Sequence, residues 1–190
     1  MNATVALALG VGSVFALLIA VGQLFLIGQV VTNRSTTGPG PGTVAATSIQ
    51  CSPVESLATH YHVALLIHSR GSVDVLPPYT GIKSNCLYWL HVHDDSGIVH
   101  VEAPAAYKDH SFVLGEVFAV AKLPFDAHHL GSDSYSSRAL TVYVNGVKWS
   151  GKPGDVPLAN LETIDVVAPG ESYDYEPFQW PAGFQESPTA

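Results

Sequence analysis

The chain is poor in charge, and poorest in positive charge. Only 13% of its 190 residues are charged, and 8 Lys and Arg stand against 16 Asp and Glu, a net charge of -8. A surface of that sign repels phosphate backbones, which argues against nucleic acid as a partner. Cysteine is scarce, with 2 in the chain, and Cys51 and Cys86 are too far apart for a CxxC redox motif. No Gly-rich phosphate loop and no Ser nucleophile elbow is present, so nucleotide and acyl-transfer chemistry are not signalled.

From Ala3 to Val31 charge is missing altogether. The apolar run VALALGVGSVFALLIAVGQLFLIGQVV exceeds the roughly 20 residues that a helix needs to cross a bilayer core. A cleaved signal peptide would carry a basic start and an apolar core of about 7–15 residues. Here the first charged side chain is Arg34, after the run. Residues 1–31 are therefore expected to form a single transmembrane helix. Ala8, Gly12, Ala16 and Ala20 share one stripe of it, which would allow a weak helix-mediated oligomer; ordinary Ala and Gly usage in membrane helices explains the same stripe. Residues 32–48, rich in Thr, Gly and Pro, read as a flexible linker. That linker and two cysteines suited to an oxidising compartment place the following domain, 49–184, outside the cell membrane, with 185–190 as a tail.

Within the domain the strongest signal is alternation with a period of two. HYHVALLIH (60–68) puts Tyr61, Val63, Leu65 and Ile67 on one side of a strand and His60, His62, Ala64, Leu66 and His68 on the other. LYWLHVH and IVHVE, separated by DDSG, read as two strands joined by a turn. Asn145-Gly146 in TVYVNGVKW calls for a tight type I′ hairpin. FVLGEVFAVAKL (112–123) predicts a short helix, weakened by Gly115. LETIDVV (161–167) predicts another strand, and the aromatic, Pro-punctuated YDYEPFQWPAGF an extended segment lying over the core. The expected fold is mainly β, a β-sandwich or open barrel of six to eight strands with one short helix.

Histidine is the repeated polar choice on those strands. An H-x-H pair on a strand puts two imidazoles on one face, about 6.5–7 Å apart at the backbone, from where they can converge on one ion. His60 with His62, and His91 with His93, are such pairs. If the DDSG connection has an even number of loop residues, His100 falls opposite His91 and joins the same face; a three-residue loop with a left-handed Gly97 would shift the pairing by one. His60, His62, His91, His93 and His100 are the candidate metal ligands. Imidazole donors suit Cu or Zn and not Ca or Mg. Glu102 is a candidate base, or an acceptor that orients a ligating ring. Asp94 and Asp95 read as turn residues, and His68, His110, His128 and His129 as ordinary loop or surface residues. A strand with one core side and one solvated side would also produce this pattern. Cys51 and Cys86 are expected to form a disulfide, the rival being Cys86 as a thiolate ligand beside His91 and His93.

The segments HYHVALLI, CLYWLHVHDDSGIVHVEAP, FVLGEVF and VYVNGVKWSGKPGDVPL resemble a family of uncharacterised bacterial membrane-anchored or secreted proteins, over most of the chain beyond the linker. The resemblance carries over no activity and no catalytic residues. Cupins also join H-x-H to a following Glu, but their glycine spacing is missing here and Glu102 comes late. The chain also lacks the length and the further metal motifs that accompany H-x-H-x-D in metallo-β-lactamases.

These features predict a membrane-anchored extracytoplasmic domain that binds Cu or Zn to carry, store or sense it. Two other functions fit the same residues. One is a metal-dependent hydrolase or oxygenase with a three-His site. The other is a metal-free interaction domain whose histidine face changes charge with pH.

Overall fold

The computed structural model describes residues 49–184. The expected anchor (1–31), linker (32–48) and tail (185–190) lie outside the described residues, among which no helix is long and apolar enough to cross a membrane.

Apolar alternation becomes strand wherever a turn signal bounds it. In chain order the strands are β1 (Cys51–Ser52), β2 (Thr59–Ser69), β3 (Ser72–Asp74), β4 (Ile82–Lys83), β5 (Cys86–Tyr88), β6 (Leu90–His91), β7 (Ile98–Ala103), β8 (His129–Leu130), β9 (Asp133–Ser134), β10 (Thr141–Val144), β11 (Val147–Lys148) and β12 (Glu162–Val167). Six of these have three or more residues, the lower bound of the expected number; the other six are two-residue pairings, too short to leave a period in the sequence. One α-helix, α1, spans Leu114–Ala121.

The main sheet has the order β11-β10-β12-β2-β7-β6, with β3 also paired to β2. β1-β5-β4 form a three-stranded sheet and β8-β9 a two-stranded one. All are open, and the fold is mainly β with one α-helix. β12 runs parallel to β2, the one parallel pair among the described residues. The eleven-residue β2 is thus the central strand, flanked by β12 and β7.

The core lies on one face of this sheet. Val63 and Leu65 of β2, Val99 and Val101 of β7 and Ile164 and Val166 of β12 are buried there with Phe112 and the Leu114, Val117 and Phe118 face of α1. Each such side chain contributes about 1.5–3 kcal/mol on burial. The helix starts where Glu116 reaches back to accept the Val113 N–H at 3.0 Å, half of a capping box. Gly115, a weak point in the helix pattern, has a packing reason: a Cβ there would stand 3.0 Å from the Gly154 carbonyl oxygen.

Asn145 and Gly146 both adopt positive φ, 48° and 79°, as the type I′ hairpin requires. A Gly146→Ala substitution is expected to cost about 1–2 kcal/mol for the left-handed backbone alone, and its methyl would meet Tyr175 Cγ at 2.7 Å. A urea midpoint equal to wild type would contradict that expectation.

Cys51 and Cys86 form a disulfide with Cα atoms 5.1 Å apart, so Cys86 is not a thiolate ligand. The bond ties β1 to β5, the strand that runs directly into β6.

Candidate metal centre

The second face of the main sheet is where the histidines meet. Register places His62 opposite His100, and His60 opposite Glu102, across β2 and β7. Across β6 and β7 it places His91 opposite His100. The two H-x-H strands are therefore not neighbours. β7 lies between them and supplies the residues that connect them, His100 and Glu102.

The β6–β7 connection has an even number of residues, so His91 and His100 pair as that parity requires. Gly97 is left-handed, with φ 83°, yet no shift results, because pairing stops at His91 and the loop spans 92–97. Its ends are fixed by the Asp94 carboxylate, which accepts the Ser96 N–H at 3.0 Å, and by the Gly97 carbonyl, which accepts the Leu65 N–H at 2.8 Å. The alternation alone would have set His93 against Ile98; β6 ends at His91, so His93 sits in the loop, and Ile98 pairs on the other edge of β7, with Ala64 of β2.

From there the His93 ring turns back to His91, with the two Nε2 atoms 3.1 Å apart. His91 is 1% exposed and its Nδ1–H donates to the Tyr88 carbonyl at 2.9 Å. A carbonyl only accepts, so this bond sets the tautomer and leaves Nε2 with its lone pair facing His93. Two nitrogens bound to Zn at about 2.0–2.1 Å stand roughly 3.3 Å apart in a tetrahedral arrangement, close to the spacing observed. A Gly81 Cβ would lie 2.6 Å from the Leu90 carbonyl oxygen and 3.0 Å from His91 Cβ. The bare backbone at Gly81, with φ 80°, is thus what allows β6 and His91 to sit where they do. Only this contact, not any sequence period, reveals its role.

Glu102 is the centre of the group. Its Oε1 lies 3.5 Å from His100 Nδ1, 3.6 Å from His60 Nε2 and 3.9 Å from His91 Nε2. These contacts are too long to satisfy the atoms as hydrogen bonds. His100 Nδ1, Glu102 Oε2 and His62 Nδ1 are all buried with no hydrogen-bond partner. Buried polar atoms are rarely left so, since each costs about 1–3 kcal/mol.

The electrostatics favour neutral His62 and His91 rings beside a charged carboxylate. Burial pushes both His62 and His91 down to about 4; neighbouring imidazoles add to this, and Glu102 opposes it. For Glu102, burial alone would raise the carboxyl, but its contacts with His100, His91 and His60 outweigh that and hold it below its ordinary value. Neutral imidazole and ionised carboxylate are the forms that bind metals.

One ligand atom from each of His91, His93, His100 and Glu102 lies within 4.8 Å of the others, and the same holds for His60, His62 and His100. All five candidate histidines and Glu102 are therefore brought together, as donors that could hold a metal ion. A shallow pocket of about 440 Å³, lined by Glu55, His60, His62, His93 and His100 among others, opens onto them. Its far wall is Phe184, edge-on to His62 at a ring separation of 4.7 Å. The C-terminal aromatic segment thus covers the histidine face, not the apolar core. It turns there because Tyr173 stacks on Tyr143 of β10 at 3.9 Å, and Tyr143 points away from the core.

His68 departs from expectation. It is not an ordinary surface residue: its Nε2 lies 2.7 Å from the buried Asp165 carboxylate of β12, which also accepts the Tyr173 hydroxyl at 3.1 Å. The parallel β12–β2 pairing creates this contact. His110 and His129 pair with Glu116 and Asp126, and His128 with the Tyr135 carbonyl, apart from the cluster.

The chain matches no protein-family model, no curated protein and no solved structure. The chemistry of the site rests on its own geometry.

Proposed function

We propose that the domain binds a transition-metal ion, Zn²⁺ or Cu²⁺, through His91, His93, His100 and Glu102, and serves to carry, store or sense it. The observation that carries this is the concentration of unpartnered buried polar atoms at the place where imidazoles converge on a carboxylate. A ligated ion would partner the His100 and Glu102 atoms. Borderline nitrogen and oxygen donors favour Zn²⁺ and Cu²⁺, and with both cysteines in the disulfide no thiolate is left to favour Cu⁺. Attachment to a membrane through residues 1–31, with the domain on the oxidising side, belongs to the same proposal and is supported by the uncharged run and the disulfide.

The open pocket keeps a second function in view, metal-dependent catalysis at a solvent-facing coordination position. In it Glu102 acts as a ligand and not as a free base, because three imidazoles already surround its carboxylate.

Metal linkage tests the proposal. Zn²⁺ at about 100 times its Kd is expected to raise the stability of the purified full chain by about 2.7 kcal/mol, with chelator reversing the gain. An unfolding temperature unmoved by both Zn²⁺ and Cu²⁺ would contradict metal binding.

A further inference from the structure

Six donors are more than one ion takes at a four-coordinate site, and here they form two sets. His91, His93, His100 and Glu102 make one; His60, His62 and His100 make the other. We infer that the face is a binuclear centre, with a second ion held by His60 and His62, with His100 kept by the first ion and with the two oxygens of the Glu102 carboxylate shared between the two positions. This rests on the metal-binding function proposed above.

Three observations carry the second position. First, His62 Nδ1 is buried without a partner and belongs to this set, so an ion confined to the first set would leave it unsatisfied. Second, the His60 and His62 rings converge to a centroid separation of 4.8 Å, and His62 and His100 to 4.6 Å, although strand neighbours two apart start about 6.5–7 Å apart at the backbone. Third, Glu102 Oε1 lies almost equally far from His60 Nε2, at 3.6 Å, and His91 Nε2, at 3.9 Å, one donor from each set. A carboxylate with two oxygens can span two ions, as in two-metal sites where the ions lie about 3.5–4 Å apart.

The charges set the order of filling. Two dications repel, and the shared Glu102 offsets only part of that. The first ion enters the set that contains the carboxylate and the buried His91. The second enters the position beside His60, whose side chain is 33% exposed and lines the open pocket together with Glu55. Binding is therefore stepwise, with the second ion weaker.

Titrating the full chain with Zn²⁺ by calorimetry reads the stoichiometry. The expected result is two ions per chain in two steps, falling to one ion, with the tight step kept, in His60→Ala and in His60→Ala/His62→Ala. His60 is only partly buried, so the single variant tests the second position even if loss of the buried His62 impairs folding. A Cu²⁺-loaded wild type should show a spin-coupled signal that His60→Ala replaces with that of an isolated ion. One ion per chain in wild type, or two retained in both variants, would overturn the binuclear centre and leave the first site standing. No bound ion at all would overturn both.

Discussion

Alanine at both His91 and His93 is expected to abolish tight metal binding. His91 presents a lone pair fixed by its Nδ1–H bond to Tyr88, and His93 faces it at 3.1 Å. Without the pair, the first set is reduced to His100 and Glu102, two donors where a Zn site needs at least three from the protein. Loss of a mere outer-shell partner typically costs 10–100-fold in affinity, so loss of two direct ligands is expected to cost more than about 100-fold. The check is competition against a chromophoric chelator, with far-UV circular dichroism to confirm folding. Affinity within tenfold of wild type in a folded variant would remove His91 and His93 from the ligand set. His91→Ala/His93→Ala also leaves Glu102 buried with fewer imidazoles around it, so some loss of stability without metal is expected alongside.

Removing the disulfide has the largest expected effect on stability. Cys51 and Cys86 are 35 residues apart in sequence, and closing a loop of that size stabilises by about 3–4 kcal/mol in the chain-entropy model. The loss in Cys51→Ala/Cys86→Ala would be a large part of the roughly 5–15 kcal/mol by which domains are stable. It should also reach the site. β5 is held to β1 by the bond and to Gly81 by the Tyr88 N–H, at 2.9 Å, and the Tyr88 carbonyl orients His91. The double variant is therefore expected to unfold at lower urea and to bind metal more weakly. Urea unfolding with and without reductant measures the first effect. An unchanged midpoint on reduction would show that the bond adds nothing.

How much of this was legible in the sequence depended on range. Alternation in HYHVALLIH identified β2 and which of its sides is apolar, because a period of two needs no partner to be read. The Asn145-Gly146 hairpin was legible for a similar reason: few residues adopt two successive positive φ values. The His91–His100 pairing was readable up to the parity of one loop, and the structure has the even parity.

Long-range order was not legible. Nothing local says that β7 lies between the two H-x-H strands, or that β12 joins β2 in parallel and brings Asp165 to His68. The same holds for the C-terminal aromatics. Their composition announces burial, but not that Phe184 would cover histidines while Tyr173 stacks on Tyr143. Gly81 carries no sequence signal, since its role is a close approach to a strand that pairs elsewhere. Glu102 was visible as a polar residue on the right face, but its place at the centre of the cluster follows from β2, β6 and β7 meeting around it.

The most direct test is the metal content of the full chain, purified after exposure to Zn²⁺ or Cu²⁺ and passed over a desalting column, measured by elemental analysis. The account predicts at least one retained ion per chain in wild type and at least one ion fewer in His91→Ala/His93→Ala, in which only the weaker position beside His60 and His62 is left. Wild type emerging without metal from both exposures would contradict it.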